Sequence, residues 1–369
     1  MGFVSSLKFD SHSGAILVNE EFMNVRYRRK MYLDAAQSLL APDMADAWGM
    51  EAIYAGVGSP WLNQEIIDTT RHELVQRFRV SAKGRKKSAE GLTLREVSEV
   101  AGRVMRTIVR RDKDLKLKLF YGFDGDALNK GTFVSDGETF SIKQDKVKNK
   151  ALDVINGTYA DRNTSLYNET RGHVFGYDQA AGVSAYHLDV TNGNVGFNME
   201  AYESLGHGKY AIETSLAAFL NNISHPMRQR GHCRILGIYE LLRAAIAARE
   251  AFHCTGGNVN ITFLDGRGSS HSERVREVTG ETSRVALHIV VAAETEYVSK
   301  RDAFELLDAA LFRNIERSAI ENDLLKRSSN SRALDLILRG YKKHEVAEMA
   351  ASWTNRTPSK GSSRKRSTK

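Results

Sequence analysis

The chain has 369 residues, 41% of them hydrophobic and 27% charged, the balance of an ordinary globular protein with a sizeable core. It holds only two cysteines, Cys233 and Cys254, and no apolar run of about 18 residues, which excludes a disulfide framework and a spanning helix. The expectation is a cytoplasmic protein, with no leader segment and both thiols buried. The formal net charge of +8 is carried by the end of the chain: from Thr354 onward there are six basic residues and no acid, and without them the body falls to +2. Residues 354–369 read as a disordered basic tail, able to meet nucleic acid or an acidic surface but more simply a solubilising segment. A second basic cluster, Lys83, Arg85, Lys86 and Lys87, reads as a solvated loop.

In chain order, Phe3–Phe9 reads as a strand, Asp10–Gly14 as a turn and Ala15–Val18 as a second, more buried strand. Arg26–Met31 looks extended, and Ile53–Ala55 is a strand ending in the glycine turn Gly56-Val57-Gly58. Trp61–Phe78 and Leu94–Val109 have helical periodicity. Leu115–Phe120 alternates as a strand does. Residues 121–170, rich in Gly, Asp, Asn and Lys, read as a looped insertion. Strands are predicted around His173–Phe175, Ala185–Leu188 and Val195–Phe197, and helices over Tyr210–Asn221 and Arg234–Phe252. The strands Val259–Phe263 and Val285–Val291 follow, then a helical region of about 302–350. Runs of strands separated by helix pairs point to packed sheets under helical layers.

Four segments resemble proteasome β-type subunits and the bacterial HslV peptidase. They are the hairpin Gly2–Glu20; Ala55-Gly56-Val57-Gly58 before a helix; Val174–Asp178 through Tyr186–Asp189 to Gly206-His207-Gly208; and Leu236–Ala251 followed by Thr255-Gly256-Gly257 and Asn258–Ile261. The resemblance implies an α+β fold, a four-layer αββα sandwich of two antiparallel sheets with helices on both outer faces. It assigns residues 1–300 to an N-terminal-nucleophile (Ntn) hydrolase domain with the insertion at about 121–170, leaving 301–353 as a C-terminal helical extension and 354–369 as the tail. It also implies a homo-oligomer in rings or stacks, a peptide or protein substrate, no cofactor and no membrane.

In that family the nucleophile is the side chain of the first residue, usually Thr, with a lysine–acid pair beside it and a backbone amide for the oxyanion. The matching positions here are Gly2 at the place of the nucleophile, Glu20 or Glu21 for the acid, Lys30 for the lysine, Gly56 for the oxyanion amide and Thr255 for the supporting serine. Gly2 has an amine but no hydroxyl or thiol. His207 stands where the family often has Ser, and Phe252 where it has Asp. Cleavage after Val4 would expose Ser5 as an alternative nucleophile. Each residue also has a plainer role: Glu20 and Lys30 as surface charges, Gly56 as a turn former. His12, His253 and His288 are too scattered for a metal site. Two functions remain open: a peptidase-type subunit or derived relative that self-assembles, and a catalytically inactive scaffold or binding member whose tail contacts a partner.

Overall fold

The opening residues form β1 (Phe3–Lys8) and β2 (Ser13–Asn19). In the turn between them, Asp10 Oδ1 accepts the backbone N–H groups of His12 and Ser13 at 2.7 and 2.6 Å, a local bond that closes the hairpin. The computed structural model describes residues 2–19, 21–24, 29–32, 36–83, 91–156, 170–189, 195–251, 259–313 and 315–354. Glu20, Arg85–Lys87, Cys254, Thr255 and the tail beyond Thr354 lie outside them.

The following elements are β3 (Glu21–Asn24), β4 (Arg29–Tyr32), β5 (Gln37–Ser38), α1 (Pro42–Trp48), β6 (Glu51–Val57), α2 (Pro60–Lys83) and α3 (Leu94–Tyr121). Next come α4 (Gly125–Lys130), β7 (Thr132–Ser135), β8 (Glu138–Ser141), α5 (Asp145–Asn156), β9 (Arg171–Asp178), β10 (Gly182–Asp189), β11 (Val195–Phe197) and β12 (Tyr202–Gly206). Then follow α6 (Lys209–Asn222), α7 (His225–Arg230), α8 (Arg234–Ala251), β13 (Val259–Asp265), α9 (His271–Arg274), β14 (Val275–Val278) and α10 (Gly280–Glu294).

Two five-stranded antiparallel sheets result, ordered β12-β1-β2-β13-β14 and β11-β10-β9-β6-β5. Side-chain alternation then decides the layers. Val4, Ile16, Val18, Leu205 and Leu264 of the first sheet meet Ile53, Ala55, Phe175, Tyr177, Val183 and Ala185 of the second in one buried core. The opposite face of the second sheet, with Ala52, Tyr54, Val174 and Leu188, packs against Leu62, Ile66 and Leu74 of α2 and Val97, Ala101 and Val104 of α3. On the far side α6 and α8 cover β12, β1 and β2. This is the αββα sandwich.

The chain divides into two compact units, Met1–Arg284 and Val285–Lys369. The second holds most of α10 and four further helices, α11 (Lys300–Phe312), α12 (Arg317–Arg327), α13 (Ser331–Leu338) and α14 (Lys343–Thr354). Ala333, Ile337 and Val346 form a core there with Val291, Tyr297, Leu336 and Met349. No helix among the described residues is long and apolar enough to cross a membrane.

Several sequence expectations need correction. Leu115–Phe120 is not a strand but the end of α3. No Gly or Pro interrupts the chain after Val109, the ion pairs Arg110–Asp114 and Asp112–Lys116 sit one turn apart, and Gly122, at φ 76°, caps the helix. Val285–Val291 lies inside α10, because a short buried β-branched run fits a helix as well as a strand. The insertion is not a loop over 121–156: α4, α5 and the β7–β8 hairpin enclose a core of Leu117, Phe123, Leu128, Ile142, Ala151 and Val154. Cys233 is exposed, since it falls in the connection before α8.

Phe175 is fully buried between the sheets. Phe175→Ala should cost about 3–5 kcal/mol, read as a lower urea midpoint with an unchanged slope.

Candidate functional site

The site expected at the start of β1 is built by four segments. Gly2 is buried, and its carbonyl oxygen accepts the His207 N–H at 3.3 Å. Phe3 pairs with Gly206. A side chain at Gly206, whose φ is +88°, would come within 2.4 Å of the Gly2 oxygen and 3.0 Å of Val57 Cγ1. Glycine is therefore what lets β1, β12 and the end of β6 converge. A Cβ on Gly2 would lie 3.2 Å from the Asn19 carbonyl at the end of β2. Gly2 is thus sunk between strands.

Gly56 sits one residue from that convergence, on β6, but its closest neighbour is Asn63. A Cβ there would fall 2.2 Å from Asn63 Oδ1. That oxygen accepts the Tyr54 hydroxyl at 2.7 Å, and Asn63 Nδ2 donates to the Val57 carbonyl at 3.3 Å. Burial raises the Tyr54 pKa and keeps the phenol protonated. The glycine admits the first turn of α2 against β6. Ser5 is 1% exposed, and its Oγ lies 3.0 Å from Ser204 Oγ. Lys30 lies on β4 opposite Met23, and Glu21 begins β3 opposite Tyr32; their side chains are outside the described set, as are Glu20 and Thr255. The structure therefore brings together Gly2, Gly206 and the end of β6, and separates Ser5 from them by its bond to Ser204.

A second polar cluster went unnoticed in the sequence. Ser6 pairs with Glu203 across β1 and β12, and His173 pairs with His187 across β9 and β10. The two pairs face each other between the sheets. Ser6 Oγ is 2.8 Å from His173 Nε2, His173 Nδ1 is 2.9 Å from Glu203 Oε2, and His187 Nδ1 is 3.0 Å from Glu203 Oε1. The order serine, imidazole, carboxylate is that of a proton relay, but Ser6 and His173 are each 1% exposed, so no substrate reaches the hydroxyl. Its work is to tie the sheets together. Burial pushes the Glu203 carboxyl up, but the two imidazoles, His173 foremost, outweigh this and hold it well below the usual carboxylate range. Lys8, one inward position further along β1, has its ammonium pKa lowered by burial against the pull of Glu203 and Glu200. The only signal available in the sequence was polar residues recurring at inward positions of apolar strands.

No family model matches the chain, and no curated protein does. Among solved structures it is similar to Anbu (ancestral beta-subunit) from Yersinia bercovieri, at 10% identity and a TM-score of 0.45, covering 75% of this chain and 87% of that one. It is also similar to Anbu from Hyphomicrobium sp. strain MC1, at 10% identity and a TM-score of 0.44, covering 85% and 98%. The assignment to the proteasome β-subunit and HslV family is thereby corrected: no family match supports it, and these structural neighbours are Anbu proteins.

The Glu203 pKa is lowered on folding from an ordinary 4.5. Its contribution to stability is therefore complete above that value and lost as pH falls below it. Glu203→Gln should destabilise the protein at pH 7 and by progressively less toward about pH 3. Urea titrations of both proteins across that range check this; a constant difference would contradict it.

Proposed function

We propose that this chain is an Ntn-fold protein that acts by assembly or binding rather than by N-terminal-nucleophile hydrolysis. The observation that carries the reading is what stands at the start of β1. Gly2 offers no oxygen or sulfur nucleophile there, and its carbonyl is engaged by His207. The nearest hydroxyls along the strand, Ser5 and Ser6, are buried and bonded to Ser204 and His173.

Exposing Ser5 by cleavage after Val4 is disfavoured energetically. Phe3 and Val4 are each 1% exposed, and removing both forfeits burial of about 1.5–3 kcal/mol apiece. Support for assembly comes from large apolar side chains left on the surface. Leu115 and Leu119, one turn apart on α3, are 59% and 80% exposed, and Val134 of the β7–β8 hairpin is 70% exposed.

Incubation with an epoxyketone or β-lactone probe, followed by intact mass, should show no adduct. A stoichiometric adduct on the N-terminal residue would overturn the non-hydrolytic reading. Mass photometry should show particles well above the 41.2 kDa chain; a monodisperse monomer at micromolar concentration would remove the assembly part.

A further inference from the structure

A pocket of 610 Å³ opens in the first unit at the start of β5 and α1, a volume typical of small-molecule sites. Leu39, Leu40 and Val75 supply its apolar wall, and Arg71 and His271 its polar one.

His271 is held by an unusually buried ion cluster. Glu51, the first residue of β6, is 0% exposed, and Arg274 is 3% exposed. Glu51 Oε1 accepts Arg274 Nε at 2.9 Å, and Glu51 Oε2 lies 2.9 Å from His271 Nδ1. Asp46 of α1 takes the other side: its Oδ1 accepts Arg274 Nη2 at 2.9 Å and the His271 backbone N–H. Burial pushes the Glu51 carboxyl up, and His271 and Arg274 work against that push. An arrangement that places two charges beyond water is costly and a poor way to gain stability. What it does accomplish is to fix one imidazole at a pocket wall, with Nδ1 committed to Glu51 and Nε2 left for a ligand.

Arg71 is the second fixed group. Its Nε donates to the Ser38 carbonyl at 2.8 Å, and among the described residues this is the guanidinium's one bond, so the terminal nitrogens remain for a ligand. An arginine fork suits a carboxylate. Glu277, exposed at the rim, opposes a second negative charge, and the apolar wall asks for a hydrocarbon body.

We propose that this pocket binds a small organic monocarboxylate with an apolar body, its carboxylate held by Arg71 and His271. With Nδ1 of His271 facing Glu51, the ligand carboxylate would take the other edge of the ring. The buried cluster is thereby given a purpose that stability does not supply.

Isothermal titration of the full chain with sodium octanoate, and in parallel with inorganic phosphate, tests this. Octanoate should bind saturably at one site and phosphate should not compete. Arg71→Gln should weaken octanoate binding at least tenfold while leaving the thermal midpoint near that of the wild type, and His271→Gln should weaken it as well. Absent or unsaturable octanoate binding, binding indifferent to Arg71→Gln, or preference for phosphate would each overturn the assignment. Arg71→Gln keeps the test decisive if His271→Gln disturbs the Glu51 cluster and fails to fold.

Discussion

Every inward position of β1 has to meet the second sheet, and that constraint organises the sandwich. Val4 enters the apolar core beside Ile53 and Phe175. Ser6 reaches His173. Lys8 reaches the Asn198 carbonyl at 3.4 Å and stands over the Phe197 ring. Along one strand the contact passes from hydrocarbon to hydroxyl, both 1% exposed, and then to the half-buried ammonium of Lys8. The polar end adds its own register requirement to that of the apolar part. Displacing Glu203 from both imidazoles would leave its half-buried carboxylate with only the Asn198 amide, at 3.4 Å. Because a one-residue slip would turn the entire strand inside out, the Ser6–Glu203 and His173–His187 pairs act as a register lock between sheets.

That lock changes how the start of the chain should be understood. A buried N-terminal strand is what Ntn chemistry needs, since it carries an amine and a nucleophile into a cleft. Here the same strand is kept buried, but its hydroxyls serve packing. The glycines at this site face protein: Gly206 the Gly2 carbonyl and Val57, Gly56 the Asn63 side chain.

The layers of the fold were legible because their periods are long and clean. β1, β2, β9 and β10 are short apolar segments bounded by turn residues, and α2 and most of α3 repeat at helical spacing. Leu115–Phe120 misled because its alternation does not follow burial: Leu117 is enclosed, while Leu115 and Leu119 face solvent. Val285–Val291 misled for the opposite reason, being so uniformly apolar that it has little period to find. At the expected site, the glycine turns at Gly56 and Gly206 were legible, while their approach to Gly2 depends on strand order. The cluster around Glu203 was invisible, since Ser6 and His173 lie 167 positions apart and only strand order brings them together. The ion cluster under His271 had no better signal, for Glu51 and Arg274 are 223 positions apart.

The length of α3 has a mechanical meaning. Its 28 residues amount to about 42 Å of helix, and its contacts with the sheet end at Val109. The remaining three turns overhang the sandwich by roughly 16–18 Å, braced near their root where Arg111 grips Glu65 of α2 at 2.7 Å. Leu117 then plugs into the small core that α4, α5 and the hairpin build around it. The insertion is therefore mounted on a stiff mast. A force applied at its tip is delivered as torque to the α2–α3 layer.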